Sequence, residues 1–310
     1  MGRYQELSLL GFQTRFPNEQ ACWEYVVKLR WPEGCRCPKH PKAKVHFKPS
    51  TRRFACYECE WHTSATSGTI FHKSRIPLRK WFWAIFLMAT SSKGVSMRNL
   101  QKHLGIKSYR AVWLMGHKIR HAMIQREGLY KLKGKVQADE ITIGTQAYQD
   151  RLKRREDRHT RFLMGVQEGK TRDKGKDYPQ FVSFEQLEAA FNKEMLPVLE
   201  KRIAKGSTLK TDDAGAFKDA EGKGYHLEPV SMSKEPDRAK EHLKWIHWLS
   251  SNLKRGLVST YHGCFPKYRK AYLAEFAYRF NRRYWPRQVF DRLLLACLTT
   301  PQVTERTLTD

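Results

Sequence analysis

Two stretches decide the fold: residues 133–144, KGKVQADEITIG, and residues 207–217, STLKTDDAGAF. The first alternates apolar and polar side chains with the period of two that marks a strand. The second starts as a strand and ends in a turn. Around them, RFLMGVQE (161–168), YPQFVSFEQ (178–186) and YHLEPVSM (225–232) read as further strands. FEQLEAAFNKEMLPVLEKRI (184–203) has helical periodicity, as do about 236–255 and 267–283. The charge-dense QDRLKRREDRHTR (149–161) reads as a loop. Three strands, a helix, two strands and closing helices predict an α/β fold with a mixed sheet.

Both deciding strands end in an acid, Asp139 in VQAD and Asp212 in TLKTD. Taken singly, each could cap a following turn. Taken as neighbours at one edge of a sheet, they form a hard, oxygen-rich site suited to Mg²⁺, which beside a phosphodiester activates a nucleophile and stabilises a leaving oxygen. Glu140 and Asp213 sit beside them, but alternation sends each to the opposite face. In EHLKWIHWLSSNLKRG (241–256), His247 and Lys254 are seven residues apart and share one helix face, as a third ligand and a phosphate contact would.

The chain has seven cysteines, four of them within residues 35–59. Cys37-x-x-His40 is followed after fifteen residues by Cys56-x-x-Cys59, the spacing of two ligand knuckles closing a zinc tetrahedron. Strands at 45–48 and 53–57 would link them, and zinc would hold together a piece too small for its own core. Cys35 is an alternative to Cys37, and His46 and His62 are alternatives to His40. Cys22, Cys264 and Cys297 read as small buried residues.

The 58 Lys and Arg against 31 Asp and Glu leave a net charge of +27 over 310 residues. That excess points to an anionic polymer, most readily nucleic acid. Between residues 245 and 290, basic residues including Lys254, Arg255, Arg282 and Arg283 alternate with aromatic ones that can stack on bases or fill a core. Upstream, SMRNLQKHLGI (96–106) and SYRAVWLMGHKIRHAMI (108–124) read as two helices joined at Gly105, with Ser96 and Ser108 as caps. This is a helix-turn-helix pattern. Its second helix would carry Arg110, His117, Lys118, Arg120 and His121 outward into a major groove. The longest apolar run, 81–89, is too short to span a bilayer. No secretory signal is apparent at residues 1–16, so a soluble, cytoplasmic, nucleoid-associated protein is expected.

In order, WPEGCRCPKH, CYEC, SGTIFHKSRIPLRKW, KGVSMRNLQKHLGI, ADEITIG, LKTDDAGAF, SSNLKRGLVSTYHG and YLAEFAYRFNRR resemble the bacterial insertion-sequence transposases that carry an N-terminal zinc ribbon and a DDE-type catalytic domain. The resemblance runs from about residue 16 to 283. It implies a ribonuclease-H-like catalytic domain at 129–300, preceded by an N-terminal helical segment (1–30), a zinc ribbon (31–75) and a helix-turn-helix region (76–128), with a tail at 301–310. It implies metal-dependent DNA cleavage and strand transfer, with binding of terminal inverted repeats. The partners are double-stranded element ends and target DNA, and a homodimer or larger assembly is expected on them. Carried over, Asp139, Asp212, His247 and Lys254 are the catalytic set, and the first three are the Mg²⁺ or Mn²⁺ ligands. Zn²⁺ falls to Cys37, His40, Cys56 and Cys59. His247 stands where the family usually has Glu, and His40 where it usually has Cys. A non-catalytic zinc-dependent DNA-binding regulator and another metal nuclease on the same fold are the rival expectations.

Overall fold

The computed structural model describes residues 8–144, 159–171, 175–187, 195–212, 215–231 and 233–309. Most of the charge-dense 149–161 stretch, the middle of the 184–203 stretch, and Asp213 lie outside them. The chain divides into two compact units. One comprises Met1–Thr90, Met97–Ala122 and Trp285–Leu308, and the other is essentially Met123–Tyr284 with Ser91–Ser96. Residues 285–300, assigned from sequence to the catalytic domain, therefore cluster with the N-terminal unit instead.

In the first unit, Ser8 and Asn18 cap helices α1 (Leu9–Arg15) and α2 (Glu19–Arg30) through their side-chain oxygens. An antiparallel sheet follows, β1 (Val45–Lys48), β2 (Arg53–Cys56) and β3 (His62–Thr63), in the order β1-β2-β3. Helix α3 (Leu78–Thr90) starts just after Pro77. The Glu19 carboxylate accepts its first two N–H groups, from Leu78 at 2.8 Å and Arg79 at 2.9 Å. These donors have no partner within the helix. The apolar side of α3 packs into an aromatic core with Phe12, Phe16, Phe82, Phe86 and Phe290, the last from α10 (Val289–Thr299). Helices α4 (Met97–Leu104) and α5 (Tyr109–Glu127) are joined at Gly105, whose φ of 55° suits a residue without a Cβ. Ser108 caps α5 through the Ala111 N–H at 3.3 Å.

The second unit is a five-stranded sheet flanked by helices. Its strands are β4 (Lys135–Ile143), β5 (Thr160–Lys170), β6 (Asp177–Leu187), β7 (Thr208–Asp212) and β8 (His226–Val230). Their order is β6-β5-β4-β7-β8. The first three pair antiparallel, while β7 runs parallel to both β4 and β8. One face packs Val136, Ala138, Leu163 and Leu209 against α6 (Met195–Arg202) and the 3-10 turns of Gly215–Lys223. The other packs Ile141, Ile143, Phe162 and Met164 against α8 (Lys244–Ser259) and α9 (Arg269–Arg282). A short helix, α7 (Pro236–His242), precedes α8, so the helical stretch expected at 236–255 breaks at Leu243. The helical reading of 184–203 holds only for α6. Phe184–Leu187 instead complete β6, paired with β5 as far as Arg161↔Leu187. Asn281 of α9 covers edge strand β6, accepting the Val182 N–H at 2.8 Å and donating to the Val182 carbonyl at 2.9 Å.

Candidate active site and metal centre

The β4–β7 register is Lys135↔Thr208, Val136↔Leu209, Gln137↔Lys210. Asp139 and Asp212 each lie two residues beyond the last pair, at matching positions on neighbouring parallel strands. Alternation puts Asp139 on the face of Gln137 and Ile141, the face covered by α8, and Glu140 on the other, where it pairs with Arg161 at 3.4 Å. Both aspartates are half-buried. Burial first, then the charge of Asp212, push the Asp139 carboxyl up to about 6, although the Glu140 N–H it accepts at 2.7 Å works the other way. A carboxyl whose ionisation is disfavoured by burial and by a neighbouring acid belongs to a donor set that a cation would relieve.

Behind the pair stands a buried polar platform that sequence reasoning missed. Gln137 is fully buried, and its Oε1 accepts the Trp245 N–H at 3.0 Å and the Ile246 N–H at 3.2 Å, satisfying donors at the start of α8. Its Nε2 donates to Glu168 at 2.7 Å, and Lys210 donates to both oxygens of Glu168 at 3.0 and 2.9 Å. Strands β4, β5 and β7 are thereby locked to one another and to α8, immediately behind the aspartates. The available signal was a polar residue inside each apolar strand: Gln137, Glu168 and Lys210.

His247 lies in the first turn of α8, one residue past this lock, and its ring is exposed. Lys254 is exposed two turns on, roughly 10 Å along the axis. With Arg255, whose guanidinium donates to Asn252 at 2.7 Å, Lys254 lines an open cleft of about 870 Å³ walled by Trp248, Tyr261, Tyr272 and Phe276. The structure does not gather Asp139, Asp212 and His247 into a closed ligand set. Among the described residues, the one group of three or more His, Cys, Asp or Glu with converging ligand atoms is Cys37, His40, Cys56 and Cys59.

Those four ligand atoms all lie within 4.8 Å of one another. Cys37 Sγ and Cys59 Sγ are 3.8 Å apart. A tetrahedron with metal–sulfur bonds of ~2.3 Å has edges of ~3.8 Å, so the donors fit a zinc-sized ion. Burial raises the Cys37 thiol, but N–H groups at His40 and Lys39 and the thiols of Cys56 and Cys59 outweigh it and bring Cys37 down to about 7. Cys35 lies outside the group, with its thiol raised by burial. His62 is tied to the Glu60 carbonyl at 3.2 Å, and His46 packs on Tyr57.

Several cations expected to face DNA do not. Arg120 is fully buried, and His117 packs with its ring tilted against Trp113 and is held down to about 3 by burial and by Arg120. Lys118 is half-buried and donates to the Ile70 carbonyl. Arg110 is exposed but forms a two-bond pair with Glu305 at 3.0 and 2.8 Å. Helix α5 is thus largely an interior helix rather than an open reading surface. Arg282 is buried, pairs with Glu127 and stacks over Tyr278 at 3.6 Å. The Arg283 guanidinium donates to the carbonyls of Pro179, Gln180 and Phe280. These last two guanidiniums are engaged in fastening the end of α9 to the domain.

A mixed sheet in this order, with helices on both faces and an acid pair on its central parallel strands, is compatible with a ribonuclease-H-like domain. Residues 131–281 match the model of the ISXO2-like transposase domain, and the match covers the whole of the sheet. A curated relative, an uncharacterized protein in transposable element ISH50 of Halobacterium salinarum, is 27% identical over 131 residues. The match covers 41% of this chain, and the chain spans 43% of that relative. The resemblance to insertion-sequence transposases read from the motifs is therefore upheld. No helix among the described residues is long and apolar enough to cross a membrane.

Proposed function

We propose that this chain is the transposase of an insertion sequence, cutting and rejoining DNA phosphodiesters at Asp139 and Asp212. The observation that carries the reading is their matched placement on β4 and β7, inside the segment that matches the transposase domain model. Mg²⁺ or Mn²⁺ held by these carboxylates would supply an activated water and neutralise charge at phosphorus. The Gln137–Glu168–Lys210 platform holds the two strands and the start of α8 in register. His247, exposed one turn into α8, completes the site once DNA and metal are in place, and Lys254 contacts a phosphate. Cys37, His40, Cys56 and Cys59 hold a structural Zn²⁺. The substrates are the terminal inverted repeats and target DNA in the cytoplasm, and pairing two ends requires at least a dimer.

The test is cleavage of a supercoiled plasmid carrying the gene's own flanking DNA, with Mg²⁺ and with Mn²⁺. Cuts at the element ends that vanish in Asp139→Asn and Asp212→Asn are expected, with activity falling on the order of 10³-fold or more. His247→Glu is expected to retain cleavage that His247→Ala loses. Binding of those ends without cutting under either metal would make the chain a DNA-binding regulator.

A further inference from the structure

The first unit contains a groove of about 780 Å³ between the cysteine-bearing sheet and residues 64–78. Arg52, Arg53, Lys73 and Arg75 line it, against a single carboxylate, Glu19. That carboxylate is already committed to the first N–H groups of α3 and lies 3.8 Å from Arg52. Arg53, Lys73 and Arg75 are exposed and enter no ion pair among the described residues. The groove is thus strongly electropositive, and the start of α3 contributes no free donors to it.

Its polar floor is set for acceptor oxygens. His72 accepts the Gly68 N–H on Nδ1 at 3.1 Å, which leaves Nε2 as the protonated, donating nitrogen. Ser64, Thr66 and Ser67 form a hydroxyl cluster, with Ser64 Oγ 3.2 Å from Thr66 and 2.8 Å from Ser67. Among the described residues, two of the three non-glycine residues with left-handed backbone, Arg52 (φ 50°) and Lys73 (φ 52°), line this groove. Glycine would adopt that conformation at less cost. Holding long basic side chains there is local strain of the kind that accompanies a ligand site.

We propose that this groove, and not helix α5, grips the phosphate backbone of duplex DNA. The inference rests on the reading of the chain as a protein that acts on DNA. A duplex is favoured over a single strand because the aromatic residues of the groove wall, Trp23, Phe71 and Trp81, are buried and offer no stacking platform. Contacts to phosphate position a protein without reading sequence, so the groove sets affinity and orientation on element ends and target alike.

The experiment is fluorescence anisotropy of the full-length protein with a labelled duplex of about 30 base pairs, over a series of salt concentrations. The variants are Arg52→Gly with Lys73→Gly, Arg53→Ala with Arg75→Ala, and Lys205→Ala as an exposed cation far from the groove in sequence. The glycine pair removes charge while relieving backbone strain, so loss of binding cannot be charged to unfolding, and its melting temperature is expected to hold or rise. Each basic pair is expected to weaken binding on the order of tenfold and to lower the log–log salt slope by about 2, roughly 0.9 for each lost phosphate contact. Lys205→Ala is expected to bind as wild type. Wild-type affinity and slope in both basic pairs would overturn the groove while leaving the DNA reading intact. A wild-type chain that ignores the duplex but binds polyglutamate through these residues would overturn both.

Discussion

The two candidate metal centres are built in opposite ways. At Cys37, His40, Cys56 and Cys59, four ligand atoms converge within 4.8 Å, from two knuckles joined by a short hairpin. At Asp139 and Asp212, two carboxylates come from strands about 70 residues apart, and among the described residues no third ligand closes the set. The first is a closed donor cage, as structural metal sites are, and the second an open one, as catalytic sites are. The difference follows from what holds each in place. The cage positions itself through local hairpin geometry, whereas the acid pair depends on a sheet, a buried Gln–Glu–Lys platform and the start of a helix.

The comparison can be broken or sharpened by experiment. The largest effect is expected at the cage. Cys56→Ser, or a strong chelator, should unfold the β1–β3 sheet, since metal binding there is folding free energy. Loss of bound zinc with a parallel loss of thermal stability would be the readout, and an unchanged melting curve would show that the cage is not a structural centre.

The open site should respond in the reverse sense. The folded pKa of Asp139, about 6, lies above its ordinary 3.8, so the stability this group contributes is fully present below about pH 4 and lost as pH rises through 6. In metal-free protein, Asp139→Asn should therefore be more stable than wild type above pH 6, by on the order of 3 kcal/mol at most, with the advantage gone by pH 4. Denaturant unfolding at pH 4 and pH 8 measures it. Added Mg²⁺ should raise the wild-type melting temperature and leave Asp212→Asn unmoved. A variant less stable than wild type at pH 8 would mean the two carboxylates do not repel.

The smallest effect concerns the platform. Gln137→Ala strands the Trp245 and Ile246 N–H groups and removes a partner of Glu168, a loss of about 1–3 kcal/mol. Cleavage should fall further than stability alone explains, because the start of α8 is released. Equal losses of stability and activity would reduce Gln137 to a packing role.

Much of this was legible in the chain. Alternation marked β4 and β7, and an acid in each flagged the pair, because side-chain period is a local property; Asp212 does end β7, but Asp139 lies in the middle of β4, which pairs with β5 as far as Ile143. Cys-x-x-His and Cys-x-x-Cys were legible for the same reason. What misled was charge. Arg120 and Arg282 read as surface residues because a cation is costly to bury alone, yet both are buried. For Arg282 the compensation is Glu127, 155 residues away in the chain. Phe184–Leu187 read as helix because the apolar spacing suited it. The strand prevailed through pairing with β5 and through Glu185, buried among Lys201, Arg202 and Lys270.

The sequence by itself marked most of the elements, the cysteine cage and the acid pair, since each is encoded within a dozen residues or a short hairpin. Tertiary structure alone decided which cations are free to meet DNA, that Gln137 orients α8, and that residues 285–308 join the first unit. Those outcomes depend on partners distant in sequence, whose burial and hydrogen bonding exist only once the chain has closed on itself.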